Sequence, residues 1–92
     1  MVFVLNKCYG SFSLSPFAME RLGVSDPYAD LGSLQIDALA ALITEYGSEK
    51  CSGRNAKLKV VEVPDTITDW MVQEYDGIEV LTYVLDGKIN QA

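Results

Sequence analysis

Asp76-Gly77 stands between two apolar-rich runs, Trp70–Tyr75 and Ile78–Leu85, and no other short stretch narrows the fold as much. An Asp-Gly pair between such runs marks a two-residue hairpin turn, with Gly77 expected at positive φ. A turn closed at these two residues fixes the register around it. Tyr75 opposes Ile78, Gln73 opposes Val80 and Met71 opposes Thr82 on one face. Trp70 opposes Tyr83, Val72 opposes Leu81 and Glu74 opposes Glu79 on the other. Both faces are largely apolar, so this hairpin needs cover.

The remaining elements follow from local signals. Met1–Leu5 is β-branched and aromatic and reads as a buried strand. A polar hinge, Asn6–Ser15, leads into Ser15-Pro16, where Ser caps a helix and Pro at its first position loses no needed donor. Phe17–Leu22 continues that helix and Gly23 stops it. Val24–Ser33 is a turn-rich connector. Ser33 then caps a longer helix, Leu34–Tyr46, closed by Gly47, whose Ala-rich centre and broad apolar face suit it to lie flat on a sheet. Ser48–Asn55 reads as a polar loop, Lys57–Val63 as a strand ended by Pro64-Asp65, and 87–92 as a tail that frays.

The order is thus β-α-α-β-β-β: an α+β fold with a four-stranded, mostly antiparallel sheet and two helices on one face, in a single domain over residues 1–86. Helices on one side leave the opposite face uncovered. Trp70, Leu81 and Tyr83 are therefore expected to form the interface of a homo-oligomer, at least a dimer.

Composition excludes more than it assigns. With 49% hydrophobic and 22% charged residues the chain is globular rather than disordered. No apolar run approaches a membrane span and the N-terminus lacks a signal-peptide pattern, so a soluble cytoplasmic protein is expected. Cys8 and Cys51 read as reduced thiols, and the lack of His argues against a transition-metal site. No cofactor motif occurs. A net charge of −6 argues against general nucleic-acid binding. The charge is polarised: residues 1–61 are balanced, whereas 62–92 carry seven acidic side chains against Lys88 alone.

The hinge, Asn6-Lys7-Cys8-Tyr9-Gly10-Ser11-Phe12-Ser13-Leu14-Ser15, resembles the opening of a family of small uncharacterised tailed-bacteriophage proteins. A second block, Ala56–Asp65 followed by Trp70 and Glu74-Tyr75-Asp76-Gly77, resembles that family's C-terminal half. Together the blocks cover about half of the chain, in the same order. Ser11 stands where the family usually has a second Gly, and Gln35-Ile36 stands where a basic residue before Asp37 is usual. The resemblance implies a phage setting, hence the host cytoplasm, and no established activity.

Strand, tight loop and helix start form an arrangement that can present amides and a positive dipole end to an anion. Asn6, Lys7, Tyr9, Gly10, Ser11, Phe12 and Ser13 are the candidate ligand contacts: Lys7 for charge, the serines and amides as donors, Tyr9 or Phe12 as a stacking face. Lys50, Arg54, Lys57 and Lys59 form a basic cluster. If the first two strands pair antiparallel, Arg54 and Lys57 come beside Lys7, where Arg suits a phosphate. The same residues can also be a capped loop and a solvated, charge-balancing segment. No Walker loop is present.

The leading expectation is a non-enzymatic phage accessory protein that oligomerises and binds a small anionic, nucleotide-derived ligand, as a sponge for a bacterial immune signal would. The alternative is a protein-binding inhibitor that turns its acidic hairpin surface towards a host factor. A small hydrolase using Glu74 and Glu79, or Cys8, is the third reading.

Overall fold

The computed structural model describes all 92 residues. Five strands and three helices follow in the order β1 (Val2–Asn6), α1 (Pro16–Leu22), α2 (Ser33–Tyr46), α3 (Ser48–Cys51), β2 (Leu58–Glu62), β3 (Asp69–Tyr75), β4 (Ile78–Leu85) and β5 (Lys88–Gln91). The class is α+β, but the strands form two antiparallel sheets, β1-β2 and β3-β4-β5, rather than one four-stranded sheet.

The reason lies in the central pair. β1 and β2 are apolar on both faces, so a single helical layer cannot satisfy them. Val4 and Leu58 face the helices and pack with Leu14, Ala18, Leu39, Ala40, Ile43 and Cys51. Leu5 and Val61 face the other way and pack with Val63 and Leu81. The hairpin sheet therefore lies across the β1-β2 pair and covers it, giving helices, two strands and three strands as successive layers. Full burial of a leucine such as Leu81 stabilises by about 1.5–3 kcal/mol. Leu81 is thus an internal core residue, not part of an oligomer surface, and Tyr83 packs partly buried against the same cluster.

Most local signals act as expected. Ser15 Oγ accepts from the Ala18 N–H at 3.1 Å, Pro16 opens α1, and Gly23 closes it in the left-handed region. Every pair of the β3–β4 register is the one the Asp76-Gly77 turn dictates, Glu74 opposite Glu79 included. Asp76 and Gly77 have φ of 51° and 90°.

Four details differ. Ser33 is the first residue of α2 rather than its cap; Gly32 takes the cap position, and its N–H donates to Gln35 Oε1 at 3.1 Å. The buried stripe of α2 is narrow (Leu39, Ala40 and Ile43), while Leu34, Ala38 and Ala41 are exposed. The 48–55 loop contains the helical turn α3. Finally, residues 87–92 do not fray. Asp86-Gly87 forms a second tight turn, with φ of 53° and 74°, and β5 pairs with β4 from Leu85↔Lys88 to Thr82↔Gln91. Ala92 extends the ladder by exchanging two backbone bonds with Leu81. No helix is long and apolar enough to cross a membrane.

Candidate functional site

β1 and β2 pair antiparallel, with Asn6 opposite Leu58, and this brings the hinge beside the start of β2 as the basic-cluster argument requires. What gathers there is the chain's own backbone. Asn6 is fully buried. Its Nδ2 donates to the carbonyls of Gly77 at 2.7 Å and Cys8 at 3.0 Å, and its Oδ1 accepts from the Lys57 N–H at 2.9 Å. One amide thus ties the hinge, the β3–β4 turn and the entry to β2.

The other hinge residues divide into two groups. The Lys7 ammonium donates to the carbonyls of Glu79 at 2.5 Å and Ala92 at 3.1 Å. Burial holds Lys7 below the usual lysine range; Lys59 adds to this and Glu79 opposes it. Ser13 is buried, with its hydroxyl 3.4 Å from the Arg54 carbonyl, and the Gly10 N–H donates to Asp76 O. The Ser15 hydroxyl donates to Lys50 O at 2.6 Å. These groups serve the fold. Tyr9 and Ser11 stay at the surface and Phe12 is half-buried against the helical core.

Arg54, Lys57 and Lys59 are exposed and form no ion pair. Lys50 leaves that group: its ammonium sits 4.7 Å from the Phe17 ring centroid, and Arg21 lies 4.8 Å from the same ring. Phe17 and Tyr46 meet edge to face at 5.0 Å beneath them. These cations cover aromatic surface of α1 and α2.

The Glu74–Glu79 pair has one attribute of an acid–base site. Burial, reinforced by Glu74, raises the Glu79 carboxyl above its ordinary range, against the opposing pull of the Asn6 amide and Lys7. Yet both carboxylates cap backbone: Glu79 Oε1 accepts from Asn6 N–H at 2.7 Å and Glu74 Oε1 from Gly77 N–H at 2.8 Å. Cys8 is a free, half-buried thiol, and Cys51 is a free thiol in the core.

The open part of the molecule is the far edge of β1, which the sequence reading overlooked. Val63 N–H donates to Met1 O and Lys7 N–H to Lys57 O, so the odd-numbered residues of this strand direct their backbone groups to β2. Val2, Val4 and Asn6 direct theirs to the other side, where β1 has no neighbouring strand. Glu79 occupies the Asn6 N–H; no side chain or turn takes up the groups of Val2 and Val4.

Along this edge runs a groove of about 520 Å³, walled by Phe12, Leu31 and Ile36 on the helical side and by Phe3, Trp70 and Val72 on the hairpin side. Trp70 is 48% exposed and meets Phe3 edge-on at 4.9 Å. Asp37 and Glu79 are the charged side chains of its lining. A separate uncovered surface, the outer face of the three-stranded sheet, carries Met71, Val84 and Ile89 around a smaller depression of about 370 Å³. An edge groove of this kind leaves no mark on hydrophobic periodicity, because it is made by segments far apart in the chain.

Comparison with protein-family models, curated proteins and solved structures finds no match.

Proposed function

We propose that the chain is a non-enzymatic phage accessory protein that acts in the host cytoplasm by binding another protein. The observation that carries this is the open apolar groove beside an unpaired stretch of β1. Backbone groups of Val2 and Val4 without partners and a half-exposed tryptophan in one groove are features of a recognition surface. The phage setting comes from the resemblance of the hinge and of the second block. The acidic hairpin end agrees with a partner of opposite charge.

A second reading, a small anionic and nucleotide-derived ligand, draws on one feature: Lys57 and Lys59 are exposed near Lys7, and Arg54 is exposed in the segment that leads to them. Tyr9 and Ser11 are the hinge side chains still accessible to such a ligand. Self-association belongs in either reading to the outer sheet face, through Met71, Val84 and Ile89, with Trp70 at its margin.

The test is in-cell photocrosslinking, with a photoreactive phenylalanine analogue replacing Val72 in the groove or Glu20 on α1. One dominant protein adduct at position 72 and none at position 20 is expected. No adduct at position 72, together with thermal stabilisation by nucleotides that Arg54→Ala abolishes, would transfer the function to the anion reading.

A further inference from the structure

Resting on the protein-binding reading, we infer that the groove takes an extended peptide segment as an added strand on β1, and that this segment is apolar and carries a lysine or arginine. The backbone sets the mode. Val2 and Val4 offer two N–H and two C=O groups along the free edge, a row that an extended chain satisfies and a helix cannot. Glu79 closes the row at Asn6, so the added strand is short, about four residues or roughly 13 Å at 3.3 Å per residue.

The walls set the sequence. Successive side chains of a strand point to opposite faces. One set would meet Phe12, Leu31 and Ile36, and the other Trp70 and Val72, so consecutive apolar residues are required rather than an alternating pattern. The charge comes from Asp37, an exposed carboxylate of the lining that forms no ion pair, whereas Glu79 already faces Lys7 and the Asn6 N–H. A basic side chain at the end of the segment beside Val2, which Asp37 borders, answers it. A second copy of this chain answers it poorly: pairing β1 with β1 about a two-fold axis would bring acidic linings together in a protein of net charge −6.

The probe is a blocked synthetic peptide, Val-Ile-Val-Ile-Lys with solubilising Ser-Gly flanks, titrated against the intact protein. Trp70, the single tryptophan, reports through its fluorescence, and the Val2 and Val4 amides report through hydrogen exchange. Saturable binding with slowed exchange at Val2 and Val4 is expected. N-methylation of alternate peptide amides should weaken binding at least tenfold in one of the two registers. Asp37→Lys, an exposed change on α2, should weaken the lysine peptide and favour its glutamate counterpart.

Equal binding of both N-methylated forms would overturn strand addition. Exchange slowed without peptide, in step with a dimer seen by light scattering, would overturn the peptide occupant in favour of a second copy. If the peptide fails while the crosslink at position 72 succeeds, the strand-addition inference falls and the protein-binding reading stands.

Discussion

Gly77 sits so close to Gly10 that a β-carbon on it would lie inside the van der Waals sphere of the Gly10 carbonyl oxygen. The β3–β4 turn is thus pressed against the hinge, and Asn6 clamps the two from below. Gly77 is buried for this reason, unlike an ordinary hairpin tip.

The molecule carries its own control for this contact. Gly87 occupies the same place in the second Asp-Gly turn, with positive φ but nothing within 4 Å of its virtual β-carbon. Gly87→Ala should cost only the left-handed penalty, about 1 kcal/mol. Gly77→Ala adds a backbone collision and should cost about 3 kcal/mol or more. Urea midpoints decide it: equal losses would show that the turn can move away from the hinge freely.

Asn6→Ala should be among the most damaging single changes in the chain. It leaves the buried Gly77 carbonyl without its partner, at about 1–3 kcal/mol, and removes a further bond from the part-buried Lys57 N–H. Asn6→Asp keeps the acceptor but adds a buried carboxylate near Glu79, so it should not rescue stability at neutral pH. Thermal unfolding of both variants checks this. A loss below 1 kcal/mol in Asn6→Ala would show that water replaces the amide.

Glu79 gives stability a pH dependence of definite sign. Its folded carboxyl is raised above the ordinary value, so the folded state holds the proton more tightly than the unfolded chain. Its contribution is therefore greatest at low pH and falls as pH rises through the window from the ordinary glutamate value to the raised one. Glu79→Gln keeps an acceptor for Asn6 N–H and removes this term. The variant should match or exceed the parent near neutrality and lose that advantage on acidification. A constant difference across the window would refute the assignment.

The two thiols should differ in reactivity. Cys51 is fully buried, and burial raises its pKa despite nearby Lys50. Cys8 lies half-exposed in the hinge. Ellman's reagent should label one thiol in the native protein and two in denaturant, with peptide mass spectrometry placing the native adduct on Cys8. Rapid native labelling of Cys51 would mean that α3 opens readily.

Signals carried by adjacent residues were legible; relations across the chain were not. Asp76-Gly77 yields the β3–β4 register pair by pair because a tight turn leaves no freedom. Ser15, Pro16 and Gly23 bound α1 because capping is local chemistry. The same Asp-Gly pair stands at 86–87, but the strand that follows it is short and polar and shows no apolar alternation, so 87–92 reads as a tail. Whether four strands share one sheet depends on which face of Leu5 and Val61 the hairpin covers, and a strand apolar on both faces does not say. The hinge shows the deeper ambiguity. A buried Asn and Ser look alike in sequence whether they bond a ligand or, as Asn6 and Ser13 do, the chain itself.

Because Val4 pairs with Val60 and the Asn6 side chain bonds the Gly77 carbonyl, the first strand meets its partners only after residues 60 and 77 have been made. A nascent chain therefore carries Val2–Leu5 as an unpaired apolar ribbon while both longer helices emerge. Contacts of such sequence separation slow folding and prolong exposure of sticky strands. Truncated translation products that end before Leu58 should therefore aggregate through this segment.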